Sequence, residues 1–543
     1  MTGPEAPWSR LDRRMLLVHP VTEVVKFIPV LLGTVILGTS SGNPLWSILA
    51  LAAILGYAVT RWFTTTYRVG PTHVELRTGL LQRRELSVPR SRIRSVDIES
   101  DLLHRVLGLS VVVIGTGQQA ESGDKFTLDS LDSRVVPQLR ATLLAHTRAP
   151  HVAADRPAGE LDDSAAESPS PSGFSAPDGG QEIANWRPSW VRYAPLSLTG
   201  FAIVVPVLGV AFQYGLGDVL FREDTVHRVE GRSTLLLVLG ALTLVAAVIV
   251  VVALASCAHY LSTYFGLRVT DNGETLHLRH GLFTTRQITL DLARLRGATV
   301  NEPLLLRLAG AAALEAIMTG ENPRHKILPQ APRPAVEHTL AHLLTPSPAK
   351  YPPRSEDPAA LPSPPQTEPS ATPPPPHRPD HGRAPLIAHA PLVPHGPVAR
   401  RRRYTRALWP VPCTAVALLL LPLSGYHVSP WWWLLPLALL PLCAALAEDR
   451  YRGLGHTVLP ATPDAPAWLI TRSGSLDRDR DCLEAPGVIG WTVRQSFWQR
   501  RAGVATVVAA TAAGKKRYRI VDVPLDMAWL LIESVTPGRL GTR

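Results

Sequence analysis

Leu102-Leu-His-Arg-Val-Leu-Gly108 recurs as Leu304-Leu-Leu-Arg-Leu-Ala-Gly310 and as Phe497-Trp-Gln-Arg-Arg-Ala-Gly503. Each stretch lies downstream of another glycine: Gly79, Gly281 or Gly474. Counted from that glycine, an apolar residue falls at position 14 (Ile93, Leu295, Val488) and a bulky apolar pair at 23 and 24. Arginine falls at 26 (Arg105, Arg307, Arg500) and glycine at 29, and no gap is needed in any copy. A frame kept in register three times is the mark of an internal repeat.

Within the first copy the pattern is that of a small β domain. Val74 and Leu76 alternate up to the turn at Gly79, and Leu86 to Val88 and Ile93, Val96 and Ile98 continue the period of two, with Pro89 as a break. Leu102 to Leu107 reads as a short helical stretch ended by Gly108, Ser110 to Ile114 as a buried strand, and Phe126 to Leu128 as another. Val135 to His146 has helical spacing and closes the unit. The second copy closes with Ala335 to Leu344, and the third with a strand from Lys515 to Ile520 and a helix from Leu525 to Val535.

Before each copy stand two apolar segments, at 24–40 and 45–63, 196–214 and 234–256, and 407–425 and 430–447. Thr234 to Ser256 holds no charged residue, and its 23 residues would rise roughly 34 Å as a helix, enough to cross a bilayer. The prolines in the first and third pairs are tolerated in membrane helices when neighbours satisfy the freed carbonyls. Arginines beside the spans set the orientation. Arg10, Arg13, Arg14, Arg61, Arg68, Arg187, Arg192, Arg400 to Arg403, Arg450 and Arg452 all lie on the side of the large domains, whereas the Ser41-Gly-Asn-Pro44 link is uncharged. Both termini and the β domains are therefore expected in the cytoplasm, with Trp431, Trp432 and Trp433 at the outer interface.

The chain has 543 residues, a net charge of +11 and a mean hydropathy of +0.09 despite 51 prolines. That charge suits an anionic membrane surface, while the absence of aromatic interleaving or a reader motif speaks against nucleic acid. The four cysteines have no metal-ligand spacing and imply neither a disulfide framework nor a metal. No phosphate loop, zinc motif or nucleophile elbow is present, so neither an enzyme nor a cofactor is expected. His104 beside Asp101 suggests a general base but reads better as a polar surface turn.

The residues Tyr67-Arg-Val, Leu76-Arg-Thr-Gly79-Leu-Leu, Arg92-Ile-Arg-Ser-Val and Leu102-Leu-His-Arg-Val-Leu-Gly-Leu, with His19-Pro20, resemble the bacterial PH-like membrane proteins of the YdbS/YdbT type. The longer, YdbT-like members carry several units. The resemblance implies a membrane hairpin before each pleckstrin-homology-like domain, a bent antiparallel barrel or sheet capped by a C-terminal helix. It brings no catalytic site.

The fold class expected is thus a multi-domain membrane protein with six transmembrane helices in three hairpins, each followed by a PH-like β domain with a C-terminal helix. The boundaries read 1–65 for the N-terminal segment and hairpin 1, and 66–146 for domain 1. Residues 147–186 form an acidic, Ser/Pro/Gly-rich linker, 187–260 hairpin 2, and 261–345 domain 2. Residues 346–399 form a Pro-rich linker, 400–448 hairpin 3, and 449–543 a divergent domain 3. Both linkers are too polar or proline-rich to bury a core. The basic residues Arg83, Arg84, Arg90, Arg92, Arg94, Lys515, Lys516 and Arg517 are the candidate sites for anionic lipid or partner proteins. The function expected is a non-enzymatic scaffold at the inner leaflet, in an envelope-stress or peptide-resistance role. The alternative is a transporter or export component formed by the six helices, although almost nothing charged lies mid-membrane. Homo- and hetero-oligomers both stay open.

Overall fold

A computed structural model describes residues 8–18, 63–78, 84–93, 95–115, 126–144, 180–197, 199–211, 234–320, 324–345, 389–425, 427–462 and 465–538, with isolated positions elsewhere. The first copy contains β1 (Ser9–Arg10), β2 (Thr66–Val69), β3 (His73–Thr78), β4 (Arg84–Pro89), β5 (Ser95–Ser100), α1 (Leu102–Val106), β6 (Leu109–Gly115), β7 (Phe126–Asp132) and α2 (Val136–Leu144). The second contains β8 (Gln181–Asn185), α3 (Thr199–Ala211), α4 (Thr234–Tyr264), β9 (Arg268–Asp271), β10 (Thr275–His280), β11 (Thr285–Asp291), β12 (Leu295–Asn301), α5 (Leu304–Leu308), β13 (Ala311–Met318), β14 (Arg324–Pro332) and α6 (Arg333–Leu344). The third contains α7 (Gly396–Ala407), α8 (Pro410–Leu420), α9 (Leu434–Arg452), β15 (Gly455–Leu459), β16 (Trp468–Gly474), β17 (Arg478–Glu484), β18 (Val488–Arg494), α10 (Phe497–Arg501), β19 (Val504–Thr511), β20 (Arg517–Pro524) and α11 (Leu525–Val535).

The repeated glycine has a backbone reason. Gly281 and Gly474 have φ of +117° and +107°, and a Cβ at either would clash with the carbonyl oxygen of Thr284 or Asp477. Only glycine fits a tight turn of that kind. Gly474→Ala is expected to destabilise the third copy by about 2 kcal/mol through strain and clash. Thermal unfolding of the detergent-solubilised protein measures it, and an unchanged midpoint contradicts the turn's role.

Among the described residues, three helical stretches are long and apolar enough to cross a membrane: Leu242–Tyr264, Gly396–Leu423 and Pro430–Arg452. They correspond to the fourth, fifth and sixth apolar segments read from sequence, and the helices continue past those segments towards the β domains. Of the third segment, α3 covers 13 residues. The first pair, 24–40 and 45–63, lies almost wholly outside the described residues, as do most of the two linkers.

The sheets do not follow the repeat boundaries. A four-stranded sheet runs β1-β2-β3-β4, a seven-stranded one β7-β6-β5-β11-β10-β9-β8, a six-stranded one β14-β13-β12-β17-β16-β15 and a three-stranded one β18-β19-β20. The second half of copy 1 therefore shares a sheet with the first half of copy 2. The second half of copy 2 shares one with the first half of copy 3. The chain accordingly forms two compact units, residues 1–185 with 262–291 and residues 186–261 with 292–543, and the division falls between β11 and β12.

In the first unit Val74, Leu76, Val88 and Ile93 pack with Val112, Ile114, Phe126 and Leu128 and with Val136 and Leu143 of α2. Leu11 and Met15, which precede the first apolar segment, join this core. Burying one such side chain fully contributes about 1.5–3 kcal/mol. In the second unit a core of Leu469, Leu483, Val488, Val507, Tyr518 and Ile520 is closed by Ala528, Leu531 and Ile532 of α11, and Ile317 of copy 2 contributes to it.

A short strand also precedes each hydrophobic stretch. β1 pairs antiparallel with β2, and β8 with β9. Val393 forms an antiparallel bridge with His456 of β15. In every copy the chain leaves the sheet, passes through its apolar segments and returns to the adjacent strand, which in a sheet lies only about 4.8 Å away. Residues 181–185 and 389–399, which composition assigns to linkers, are thus part of the folded units; Ala390, His395 and Ala399 are buried.

Candidate functional site

The candidate cations come first. Arg83 and Arg94, and the side chains of Arg84 and Arg92, lie outside the described residues. Arg90 is buried: its guanidinium donates to the carbonyls of Pro71 (3.2 Å) and Thr142. It ties the β2–β3 turn to α2. Arg90→Met is expected to lower the melting temperature through the loss of about 2 kcal/mol of charge-assisted hydrogen bonding. Its binding to anionic vesicles should not change, and a selective loss of vesicle binding would contradict this structural role.

Lys515 is held by Asp479 and by Asp481 at 3.5 Å. Burial pulls its pKa down, but Asp481 and Asp479 outweigh this and hold it above the usual lysine value. Lys516 occupies a left-handed turn at φ +61°, and Arg517 is exposed at the start of β20, with Arg519. The two basic groups belong to different compact units.

What the repeat arginine does becomes clear at the junctions between copies. In the first, Arg105 of α1 donates to the Leu282 carbonyl (3.2 Å) and to Thr285, Thr284 donates to Asp101 (2.8 Å), and Arg286 lies 3.4 Å from Glu99. Arg140 of α2 also reaches His277 (3.3 Å) and Thr289. Burial, then the nearby Arg140 charge, pushes the His277 pKa down, so this histidine stays neutral at pH 7. In the second junction Arg307 of α5 binds Asp449 at 2.9 Å, and Arg478 and Ser475 bind the same carboxylate at 2.9 Å. Asn301 donates to Asp477 (2.7 Å) and Asp479 (2.8 Å), and Thr299 to Asp481 (2.7 Å). The sequence shows these arginines as a repeated position and gives no sign of this role.

A second repeated site lies where the short helix meets the end of the last strand. The residue after that strand donates its N–H to the glycine carbonyl in all three copies: Ser133 to Gly108, Arg333 to Gly310 and Leu525 to Gly503, at 2.9, 3.0 and 3.1 Å. Three residues earlier stand Ser130, Gln330 and Asp522, all buried. His104 contacts Ser130 at 3.3 Å, so it is a buried structural histidine and not the exposed polar turn that the sequence suggested. The Gln330 carbonyl accepts from Tyr260 of α4 (3.0 Å).

In the third copy this site is charged. Asp522 is fully buried with φ +58°, and its carboxylate receives Gln499 (2.9 Å), Arg402 (3.1 Å) and Arg403 (3.1 Å). Beside it His395 bonds the Val521 carbonyl (2.8 Å) and His456 bonds His395 (2.9 Å). The helix that enters the third hydrophobic hairpin is thereby locked to β20. The other end of the hairpin is tied back, as Arg400 and Tyr404 both bind Glu448 at 3.0 Å.

The short helices also expose apolar side chains in each copy: Leu102 and Val106 in α1, Leu305 and Leu308 in α5, Phe497 and Trp498 in α10. Val106 and Leu308 are 77% and 76% exposed. Among the described residues no cluster of His, Cys, Asp and Glu could hold a metal ion.

This arrangement of antiparallel strands and closing helices agrees with the comparison to known families. The family described as Bacterial PH domain matches residues 25–147 and 233–344. These two regions are PH-like, and the family suggests a binding-module role for them. No curated protein and no solved structure matches the chain.

Proposed function

We propose that the protein is a non-enzymatic membrane scaffold: three helical hairpins, six spans in all, carry three PH-like modules on the cytoplasmic side, with successive copies sharing sheets. The observation that carries this reading is the insertion of each apolar stretch between two adjacent antiparallel strands. A segment that leaves and re-enters a sheet at neighbouring positions crosses a bilayer an even number of times. The arginines beside the spans favour the inner leaflet for the sheets, and the exposed Trp431, Trp432 and Trp433 suit the opposite interface. The apolar faces of α1, α5 and α10 would rest in the lipid interface, where amphipathic anchors settle.

The modules act as binding surfaces for partner proteins more than for lipid headgroups. Arg90 and Lys515 are committed to internal contacts, as are Arg400, Arg402 and Arg403 beside the third hairpin, while the exposed Arg401, Arg406, Arg517 and Arg519 would meet anionic lipid at roughly 1 kcal/mol each.

Single cysteines in a cysteine-free background test the topology. With an impermeant maleimide on intact cells, positions Asn43 and His427 should label and Arg517 should not. Labelling of Arg517, or protection of both loops, would sink the reading.

A further inference from the structure

The three copies differ sharply around the short helix. Counted again from the turn glycine, positions 20, 26 and 27 read Glu99, Arg105 and Val106 in the first copy and Asn301, Arg307 and Leu308 in the second. In the third they read Arg494, Arg500 and Arg501, and all three are exposed. The pair at positions 23 and 24 changes as well, from leucines to Phe497 and Trp498. Arg105 and Arg307 clasp the neighbouring copy, whereas Arg500 faces solvent.

α10 is fixed from its buried side. The Gln499 backbone N–H donates to the Ser496 hydroxyl (3.3 Å) and the Ser496 N–H donates to the Gln499 side-chain oxygen (2.9 Å), a reciprocal cap. The Gln499 amide nitrogen then donates to Thr506 (2.8 Å) and to Asp522 (2.9 Å). With Gln499 turned inward, Phe497 and Trp498 are 69% and 68% exposed, their rings edge to face at 5.3 Å.

The same carboxylate fixes the level at which this face lies. Asp522 also receives Arg402 and Arg403 of α7. Along that helical stretch Leu408, at the start of the apolar segment, lies roughly 9 Å beyond Arg402. The exposed Trp409 follows it, as an aromatic residue does at a membrane interface. α10 therefore stands beside the inner end of the span, at the level of the lipid headgroups. Two exposed rings among three guanidinium groups match that layer, since aromatic rings settle in the interface and cations are drawn to anionic lipid. The bilayer is also the one occupant whose position the chain itself sets, through Asp522.

We propose that α10 is an anchor for anionic lipid: Phe497 and Trp498 enter the headgroup layer, and Arg494, Arg500 and Arg501 pair with the negative headgroups around them. α1 and α5, with an apolar residue at position 27 and a committed arginine at 26, rest on lipid of any charge. The proposal rests on the membrane reading above and adds the class of lipid that one module selects.

The test places a spin label at position 497, through Phe497→Cys in the full-length cysteine-free protein, with one copy per nanodisc. Collisions with dissolved oxygen report lipid, and collisions with a nickel chelate report water. Arg517→Cys, labelled in the same way, is the water-exposed reference. In discs containing phosphatidylglycerol the oxygen-to-nickel ratio at 497 should exceed that at 517 by about fivefold. In discs of phosphatidylcholine alone, or in Arg494→Gln/Arg500→Gln/Arg501→Gln, most of that excess should vanish. The three arginines are exposed, so the triple variant should keep the wild-type melting midpoint. A ratio at 497 equal to that at 517 in the anionic discs would overturn the proposal, as would one indifferent to lipid charge or to the arginines. Burial of position 497 that rises with the number of copies per disc would assign the face to a second chain and overturn it too. The maleimide labelling reads the loops and this measurement reads one helix, so correct labelling with a water-exposed position 497 removes the anchor alone.

Discussion

Asp522→Ala is expected to cost about 3–5 kcal/mol, the range for removing one partner of a buried ion pair. The carboxylate is fully buried and collects Arg402, Arg403 and Gln499. Without it two guanidinium groups beneath the third domain lose their counterion, and Arg402 is itself buried. The penalty arises from those stranded charges more than from the loss of the bonds. Asp522→Asn separates charge from backbone, because asparagine tolerates the left-handed conformation at φ +58° about as well as aspartate. Thermal unfolding and tryptic cleavage after Arg402 and Arg403 should rank wild type as most resistant, then Asn, then Ala. Replacing all three charged residues with apolar ones should recover much of the loss, as buried ion pairs often contribute little net stability. An Asp522→Ala protein as resistant as wild type would mean that α7 is not held by this contact.

The legible part of the fold was the frame. Gly281 and Gly474 are legible because a turn with positive φ and a carbonyl in the way of any Cβ excludes every side chain. The strands and closing helices are legible because their periodicity follows from which face is buried. Strand partners are another matter. Nothing in the pattern of β5 states whether its free edge meets its own copy or β11 of the next, because edge pairing depends on register and approach and not on hydrophobic period.

The strands before the hairpins were hidden for a different reason. β8 and the Val393 bridge are a few residues long and sit in stretches whose overall composition is that of a linker. The candidate site suffered most. Arg90 and Lys515 read as surface cations because a sequence shows charge without showing its partner; one lies against two carbonyls and the other against two carboxylates. Arg105, Arg307 and Arg500 stood in the open as a repeat position. The clasp they suggest is visible only once Arg307 is seen against Asp449.

The histidine pair beside Asp522 gives the protein an acid-sensitive joint. His395 Nδ1 lies 2.8 Å from the Val521 carbonyl, so it must carry a proton, and its Nε2 is left to accept from His456 Nδ1 at 2.9 Å. That chain of bonds holds only if His395 is neutral. Burial, then the neighbouring His395, pushes the His456 pKa down to about 4, and burial is also the main cause of the lowered His395 value. In an unfolded chain both would titrate near 6.5. At pH 7 the folded and unfolded forms are both largely neutral and the pair adds little pH dependence. As pH falls through about 6.5 the unfolded chain takes up protons that the folded joint refuses, so stability declines until about pH 4, where the folded His456 is protonated as well. For His456 alone the loss amounts to about 3 kcal/mol. Thermal unfolding at pH 7 and pH 4.5 should therefore show a fall in midpoint for wild type and a smaller one for His456→Asn, which keeps a donor to His395 but does not titrate. Equal falls in the two proteins would place the acid sensitivity elsewhere. The pair joins the strand segment before hairpin 3 to the first strand after it, so its loss would free the hairpin from the sheet at the point where the two are coupled.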